Sequence, residues 1–560
     1  MQTGGQILVN CLEQQGVDHV FCVPGESYLA VLDALHDHND TIQLTVCRQE
    51  GGAANMAEAH GKLTGRPGIC FVTRGPGATN ASTGVHTAFQ DSTPMILFIG
   101  QVGRDMRHRE GFQEVDFPAM FAPLAKWAAE ISDARRIPEY IHRAFQTAMA
   151  GRPGPVVLSL PEDVLSEVVE GSIDLGISAK PVPAAPRSSD LAKLCTMIEK
   201  ADRPLIMVGG GGWTAEAGAA VLRFAESQNV AVAASLRCQD YVDNTHPNYI
   251  GHFTIGAEPS LVSRLKEADC IVALGPKLGE MTTAGYSLLV PPRMGKPFAH
   301  IHADPEELGR VYQADLAINA APAEVALELD AINSTGSSRR RGWIEAARAD
   351  YERSVIPQPT DARVDLGKVM RTLQARLPSD TIVCSGAGNY TGWAHRHWTF
   401  RHYRTQLAPT SGAMGYGVPA AVAASITHPG RTVLAMAGDG CFQMHGQELA
   451  TAVQYGAKVL FIVVNNGIYG TIRMHQEREY PGRVIATDIV NPDFVALARA
   501  YGLVSERVET TDDFEPALER ALEATGSALL ELVTDAEAIT SRTTLTKLRN
   551  AALERLARSA

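Results

Sequence analysis

Two stretches decide the fold: Thr432-Val433-Leu434-Ala435-Met436-Ala437-Gly438-Asp439-Gly440 and, one short segment later, Val459-Leu460-Phe461-Ile462-Val463-Val464-Asn465-Asn466. Each is an apolar run of strand length that stops on polar and glycine residues. Between them 446–455 reads as a helix with Leu449, Ala452 and Val453 on one face, so the pair forms a strand-helix-strand unit with parallel strands. Asp439 and Asn466 then emerge at strand carboxyl ends, where open α/β sheets bind their ligands. One carboxylate (Asp439), one amide oxygen (Asn466) and a backbone carbonyl at Ile468 suit magnesium, which takes few protein ligands and completes its shell with phosphate oxygens. Gly438 and Gly440 permit close backbone approach to a diphosphate. Either segment alone is a turn or a loop; the information lies in finding both, on successive strand ends.

The rest of the chain bounds the setting. Its 560 residues, 45% apolar and 20% charged, make several domains with large cores, about three to five by length. A formal net charge of -12 argues against nucleic acid or an anionic membrane as partner. The 9 cysteines are scattered and mostly sit in apolar surroundings, as at Cys70 and Cys270, which points to reduced core thiols and a cytoplasmic protein. The N-terminal stretch from Thr3 to Gly16 reads as an amphipathic helix and not a signal peptide, and no apolar run is long enough to span a bilayer.

Two stretches interrupt the alternation of strands and helices. One runs over 171–189, with Pro181, Pro183 and Pro186, and the other over 333–361, with Ser337, Ser338, Pro357 and Pro359. They read as linkers and divide the chain into three α/β blocks with parallel sheets. The Arg339-Arg340-Arg341 run reads as part of a solvated linker. In the middle block Leu205-Ile206-Met207-Val208 is followed by Gly209-Gly210-Gly211-Gly212. A dinucleotide site and a tight strand-to-helix turn both suit this; the glycine spacing and the lack of an acidic ribose ligand favour the turn.

In the first block, Arg48-Gln49-Glu50-Gly51-Gly52-Ala53-Ala54 puts a carboxylate at a helix start. By itself Glu50 is explained by the helix macrodipole. Together with the segments around Asp439 and Asn466, the chain resembles the thiamine diphosphate (ThDP)-dependent decarboxylases and carboligases, most specifically the acetolactate (acetohydroxyacid) synthase large subunit, from Val20-Phe21-Cys22-Val23-Pro24-Gly25 to about Val533. The resemblance implies three doubly wound parallel-sheet domains: a pyrimidine-binding domain over 1–170, a central Rossmann-like domain over 190–332 and a diphosphate-binding domain over 362–540. It also implies that Glu50 protonates the cofactor's aminopyrimidine, so that the thiazolium carbon is deprotonated and attacks a 2-oxo acid.

Further positions follow from the resemblance. In Ser411-Gly412-Ala413-Met414-Gly415-Tyr416-Gly417, Gly412 and the Met414 backbone hold the pyrimidine and the Met414 side chain bends the cofactor, with plain core filling as the bland alternative. Gly388-Asn389-Tyr390 lies where the family contacts the diphosphate, with the usual glutamine and histidine replaced. Arg74-Gly75-Pro76-Gly77-Ala78-Thr79-Asn80 matches the glycine loop over the thiazolium. Gly100-Gln101-Val102, Phe112-Gln113-Glu114 and Lys126 match the substrate-pocket pattern, making Gln113 and Lys126 candidate catalytic residues; Gln113 reads equally as a surface polar residue.

The departures bear on substrate. Gly275-Pro276-Lys277-Leu278-Gly279-Glu280-Met281 aligns with the synthase segment whose arginine grips the acceptor carboxylate, and here that arginine is Met281. Loss of the clamp opens the site to an aldehyde or neutral acceptor and counts against FAD binding. His475 stands at the family's specificity tryptophan; with Arg473 and His108 it reshapes the pocket mouth or simply solubilises the surface. Glu26 is a second pocket carboxylate or a helix cap. Ile472 replaces the glutamate of pyruvate decarboxylases, which favours ligation over simple decarboxylation.

The expectation is a cytoplasmic, Mg2+- and ThDP-dependent carboligase acting on a 2-oxo acid such as pyruvate and a carbonyl acceptor. It is a homodimer or homotetramer, because in the family Glu50 and Asp439 of one site come from different subunits. A 2-oxo acid decarboxylase or aldehyde lyase, a flavin-linked oxidase of the same architecture, and a cofactor-binding sensor without catalysis are the rivals.

Overall fold

The computed structural model describes residues 1–332, 336–358 and 360–559. Three six-stranded sheets, each entirely parallel, carry the architecture, so the expected α/β class with three doubly wound sheets is what the chain forms. The first sheet runs in the spatial order Gln43–Val46, His19–Cys22, Gly68–Val72, Met95–Gln101, Pro155–Pro161, Trp127–Glu130. The third runs Gln406–Leu407, Ile382–Ser385, Val433–Gly438, Leu460–Asn465, Ala528–Val533, Val504–Val508. Counted along the chain within each sheet, both orders are 2-1-3-4-6-5. The central sheet is instead 3-2-1-4-5-6, the order of dinucleotide-binding folds.

The strands are near-continuous apolar runs because helices cover both faces. Gly68–Val72, Met95–Gln101 and Pro155–Pro161 are buried at every residue. In the first sheet Ile69, Phe71, Ile96, Phe98, Val156 and Leu158 join one core. Their alternate neighbours Cys70, Leu97 and Val157, equally buried, turn to the other face. The central sheet has a separate core on each face, one holding Ile206, Val208 and Val272 and the other Leu205, Met207 and Ile271.

By compactness the chain forms two units: Met1–Val182 with Pro409–Gly430 and His445–Val459, and Pro183–Ala408 with Arg431–Met444 and Leu460–Ala560. In the first unit the helix Gly417–Thr427 packs on the helix Glu50–Thr64. None of the nine cysteines is in a disulfide, and eight are buried. Among the described residues no helix is long and apolar enough to cross a membrane.

Three readings need correction. The segment after Asp439 is not one helix over 446–455: a helix Asp439–His445 starts at the carboxylate itself, followed by a 3-10 turn Gly446–Glu448 and a short helix Leu449–Gln454. Leu449 and Ala452 are buried but Val453 is 49% exposed, being a hundred degrees round the helix from Ala452. Second, most of the stretch 333–361 is not a linker. It holds the helix Arg341–Ser354, whose buried Ile344, Ala347 and Tyr351 form a stripe hidden in a polar composition; Asn333 and Pro359 lie outside the described residues. Third, Arg340 is not solvated. It is 2% exposed, and its guanidinium donates to the carbonyls of Ile198, Glu199, Ala201 and Gln228.

In the central block, Gly210 and Gly212 both have positive φ, at 75° and 79°. A side chain at Gly210 would stand 2.0 Å from the Gly275 carbonyl, so a tight turn explains the glycine run.

Candidate active site

The third sheet presents three adjacent strand ends. Val433–Gly438, Leu460–Asn465 and Ala528–Val533 are buried along their length and become half-buried only at their last residue, where the loops leave. Asp439 follows the first of these and is 3% exposed. Its Oδ1 accepts the Gly440 N–H at 2.9 Å, and its Oδ2 accepts the Gly467 N–H and the Asn491 Nδ2, both at 2.8 Å. Burial pushes the Asp439 carboxyl above its ordinary range, an effect that a nearby cation would reverse. The orientation is relayed inward: Asn491 also donates to Asn465 Oδ1 (2.8 Å), Asn465 donates to Glu531 (2.7 Å), and Glu531 accepts from Arg507 (2.9 Å).

Asn466 sits opposite on the next strand end and accepts the Ile468 N–H at 3.3 Å. An amide oxygen has a second lone pair, so acceptor capacity remains. The Ile468 side chain is clamped with Ile539 and Leu545, which sets the path of its backbone. Asn389 ties its loop to the helix Gly470–Glu479, accepting from Thr471 Oγ1 at 3.0 Å. The Tyr390 hydroxyl is engaged by the Gly386 N–H and the Cys441 thiol, so Tyr390 offers the loop its ring and not a hydroxyl contact. That ring gives the steric reason for a glycine: a Cβ at Gly438 would lie 2.9 Å from Tyr390, and one at Gly440 would lie 2.7 Å from Tyr469.

The first unit carries the other predicted residues. Glu50 is the first residue of the helix Glu50–Thr64, and its Oε2 accepts from Asn80 Nδ2 at 2.9 Å. Asn80 belongs to a helix, Gly75–Asp91, so the stretch expected as a glycine loop is helical from Gly75. At Gly77 a side chain would start 3.5 Å from Glu50 Oε1. Glu448, missed in the sequence, lies fully buried beneath the same helix end and accepts the N–H groups of Arg48 (3.0 Å) and Gln49 (3.1 Å). Burial raises its pKa. The signal was a carboxylate beside apolar residues in Glu448-Leu449-Ala450. Gly412 is exposed with φ 70°, and Met414 is half-buried.

Gln113 has φ 63°, and its carbonyl accepts the Gly75 N–H at 3.0 Å, closing the loop over the start of the Asn80 helix. The loop is held by Glu114, which accepts the N–H groups of His108 and Gly111 and pairs with Arg107, and by the buried Gln101, whose amide donates to the Val115 carbonyl.

Lys126 is a correction. It precedes the strand Trp127–Glu130 and hydrogen-bonds Pro155, at the amino-terminal edge of the parallel sheet, whereas Glu50 and Gln101 lie at the carboxyl-terminal edge. Its ammonium donates to the Thr147 and Ala150 carbonyls at 2.5 and 2.6 Å, capping the helix Ile137–Met149. Sequence spacing cannot tell the two ends of a strand apart when the match is to a pattern. Glu26 caps no helix; it is exposed and 4.0 Å from Arg74, which pairs with Glu162. Arg473 is bound to Thr487 and Asp488, His475 pairs with Arg478, and Met281 is 42% exposed.

The residues fit a magnesium-diphosphate by the chemistry of their donors. Among the described residues no group of three or more His, Cys, Asp or Glu builds an all-protein cation site. A magnesium ion at Asp439 and Asn466 would complete its shell with water and with oxygens such as those of a phosphate.

Known protein families match most of the chain. Residues 2–120 match the thiamine pyrophosphate enzyme N-terminal TPP binding domain, 191–329 the central domain and 386–532 the C-terminal TPP binding domain. The chain is 32% identical to the acetolactate synthase large subunit of Corynebacterium glutamicum, covering 93% of this chain and 85% of that one. It is 31% identical to the mitochondrial acetolactate synthase catalytic subunit of Aspergillus candidus (95% and 81% covered). Its identity to a probable acetolactate synthase large subunit of Methanocaldococcus jannaschii is 30% (96% and 93% covered). The chain thus belongs to the thiamine pyrophosphate-dependent enzymes, within the acetolactate synthase-like family.

Proposed function

We propose that the protein is a Mg2+- and ThDP-dependent carboligase that takes the acyl unit of a 2-oxo acid such as pyruvate and joins it to a second carbonyl compound. The observation that carries this reading is the Asp439 carboxylate, buried and aimed by Gly440, Gly467 and Asn491 at the ends of adjacent strands. Asp439, Asn466 and the Ile468 carbonyl would hold the cation, with Gly438, Gly440 and Asn389 lining the diphosphate and Gly412 and Met414 the pyrimidine. When bound, ThDP supplies a nucleophilic carbon and an electron sink for decarboxylation.

The chain's own residues supply the proton chemistry and the pocket. Glu50 exchanges a proton with the cofactor's ring while Asn80 holds its other oxygen in place. Gln113 stands over the start of the Asn80 helix as a donor for an oxyanion. The position of Lys126 removes it from this list. Met281, where related synthases place a carboxylate-gripping arginine, favours an uncharged acceptor and counts against flavin. We take the working assembly as a cytoplasmic homodimer or homotetramer and the domain limits as 1–170, 190–332 and 362–540.

The test is product identification and CO2 release with Mg2+, ThDP, pyruvate or larger 2-oxo acids, and aldehydes, run beside Glu50→Gln. A ligated product that disappears in the variant supports the carboligase. Free aldehyde with CO2 makes it a decarboxylase, and flavin absorbance with oxygen uptake makes it an oxidase.

A further inference from the structure

The loop that carries Gly412 and Met414 makes little regular structure of its own, yet four buried or half-buried groups of the first compact unit grip it. Asp91 Oδ1 accepts the Thr410 N–H at 2.6 Å and also the Thr410 hydroxyl. Thr87 Oγ1 lies 3.2 Å from Ser411 Oγ. The Gly415 carbonyl is 3.0 Å from His445 Nδ1. The Tyr416 hydroxyl donates to Glu58 at 2.5 Å. Gly412 and Gly415 both have positive φ, at 70° and 82°, so the loop spends backbone freedom to follow this path.

The charges in the grip are unusual. The side chains of Glu58 and Asp91 are 0% and 1% exposed, and both lean on one ammonium, Lys62, which contacts Asp91 and stands 3.6 Å from Glu58. Two buried carboxylates on one cation are costly to keep unless further donors complete them. Thr93 Oγ1 supplies one, at 2.7 Å from Glu58, and the loop itself supplies others, from Thr410 and Tyr416. Ordering the loop and satisfying these two carboxylates are therefore coupled. An apolar filling of the same space would hold the helices together equally well, but it would not specify the path of 410–416.

We propose that Glu58 and Asp91, together with Thr87, are positioning residues that set the 410–416 loop, and through it the grip of Gly412 and Met414 on the cofactor's pyrimidine. The second half of this inference rests on the function proposed above; the first half does not.

The experiment separates them. Amide hydrogen exchange is followed on the protein without cofactor, and ThDP with Mg2+ is titrated by calorimetry. Asp91→Ala and Tyr416→Phe are each expected to speed exchange across 410–416 by about tenfold, and Asp91→Asn, which keeps an acceptor for Thr410, to restore most of the protection. The strand Met95–Gln101 serves as the internal control and should not change. In the titration Asp91→Ala raises the dissociation constant by about tenfold and Asp91→Asn by much less. Should Asp91→Ala fail to fold, Tyr416→Phe and Thr87→Ala carry the test. Unchanged exchange in folded variants overturns the positioning role. Faster exchange with an unchanged dissociation constant overturns the link to the cofactor. Absence of ThDP binding by the unaltered protein, with the exchange effect intact, overturns the cofactor reading instead and leaves the loop clamp standing.

Discussion

The first and third sheets share one strand order, 2-1-3-4-6-5, and their loops can be compared strand by strand. After the third strand the first sheet places Thr73-Arg74-Gly75 and the start of a long helix; the third sheet places Asp439. After the fourth strand the first sheet has a long loop through Gln113, pinned by Gln101, Arg107 and Glu114, whereas the third has the short turn Asn466-Gly467. After the second strand comes Glu50 in one case and the Gly412 to Met414 loop in the other. In the third sheet, short loops aim backbone N–H groups at a single carboxylate, the arrangement on which the proposed cation seat rests. In the first, side chains span longer loops and leave a half-buried carboxylate beside an amide, which suits proton exchange. A topology supplies positions, and the residues placed there decide the chemistry.

That division can be broken by experiment. Glu50→Gln should lower turnover by roughly 10²- to 10⁴-fold and leave the calorimetric affinity for ThDP and Mg2+ nearly unchanged. Asp439→Asn should do the reverse, with affinity falling by more than about 100-fold because a direct ligand is lost and not merely its support. If both variants lost affinity equally, the assignment of proton chemistry to one sheet and cation binding to the other would be wrong. Asn491→Ala sharpens the picture: it removes a donor to Asp439 from the third sheet's relay, so the Mg2+ needed for half-saturation should rise by about 10- to 100-fold while turnover at saturating Mg2+ changes little. The smallest effect belongs to Lys126→Met. It should leave turnover and cofactor affinity within about twofold and reduce thermal stability by about 1 kcal/mol through the lost helix cap. A large loss of turnover there would return Lys126 to the active site.

Much of this is legible in the amino-acid sequence. The apolar runs ending at Gly438 and Asn465 marked strands, because a buried parallel strand demands particular residues locally. Glu50 was legible as a helix start. Lys126 was misread since a pattern match transfers a position in the chain and not the edge of the sheet. Asn491 and Glu448 were passed over because their partners, Asp439 and the Arg48 and Gln49 amides, lie far away in sequence. Arg340 looked like one of three solvated charges; only the folded chain brings four helix-end and loop carbonyls around it.

By itself the sequence determined the class of the fold, the three parallel sheets and the residue types at the ends of their strands, since hydrophobic period and turn chemistry act over a few residues. Tertiary structure decided which edge of a sheet each side chain occupies, which carboxylates are buried and with what donors, and that the Gly412 to Met414 loop is held by Glu58 and Asp91. Those are set by long-range packing and by the need to satisfy buried charge, and neither is written in any short stretch of chain.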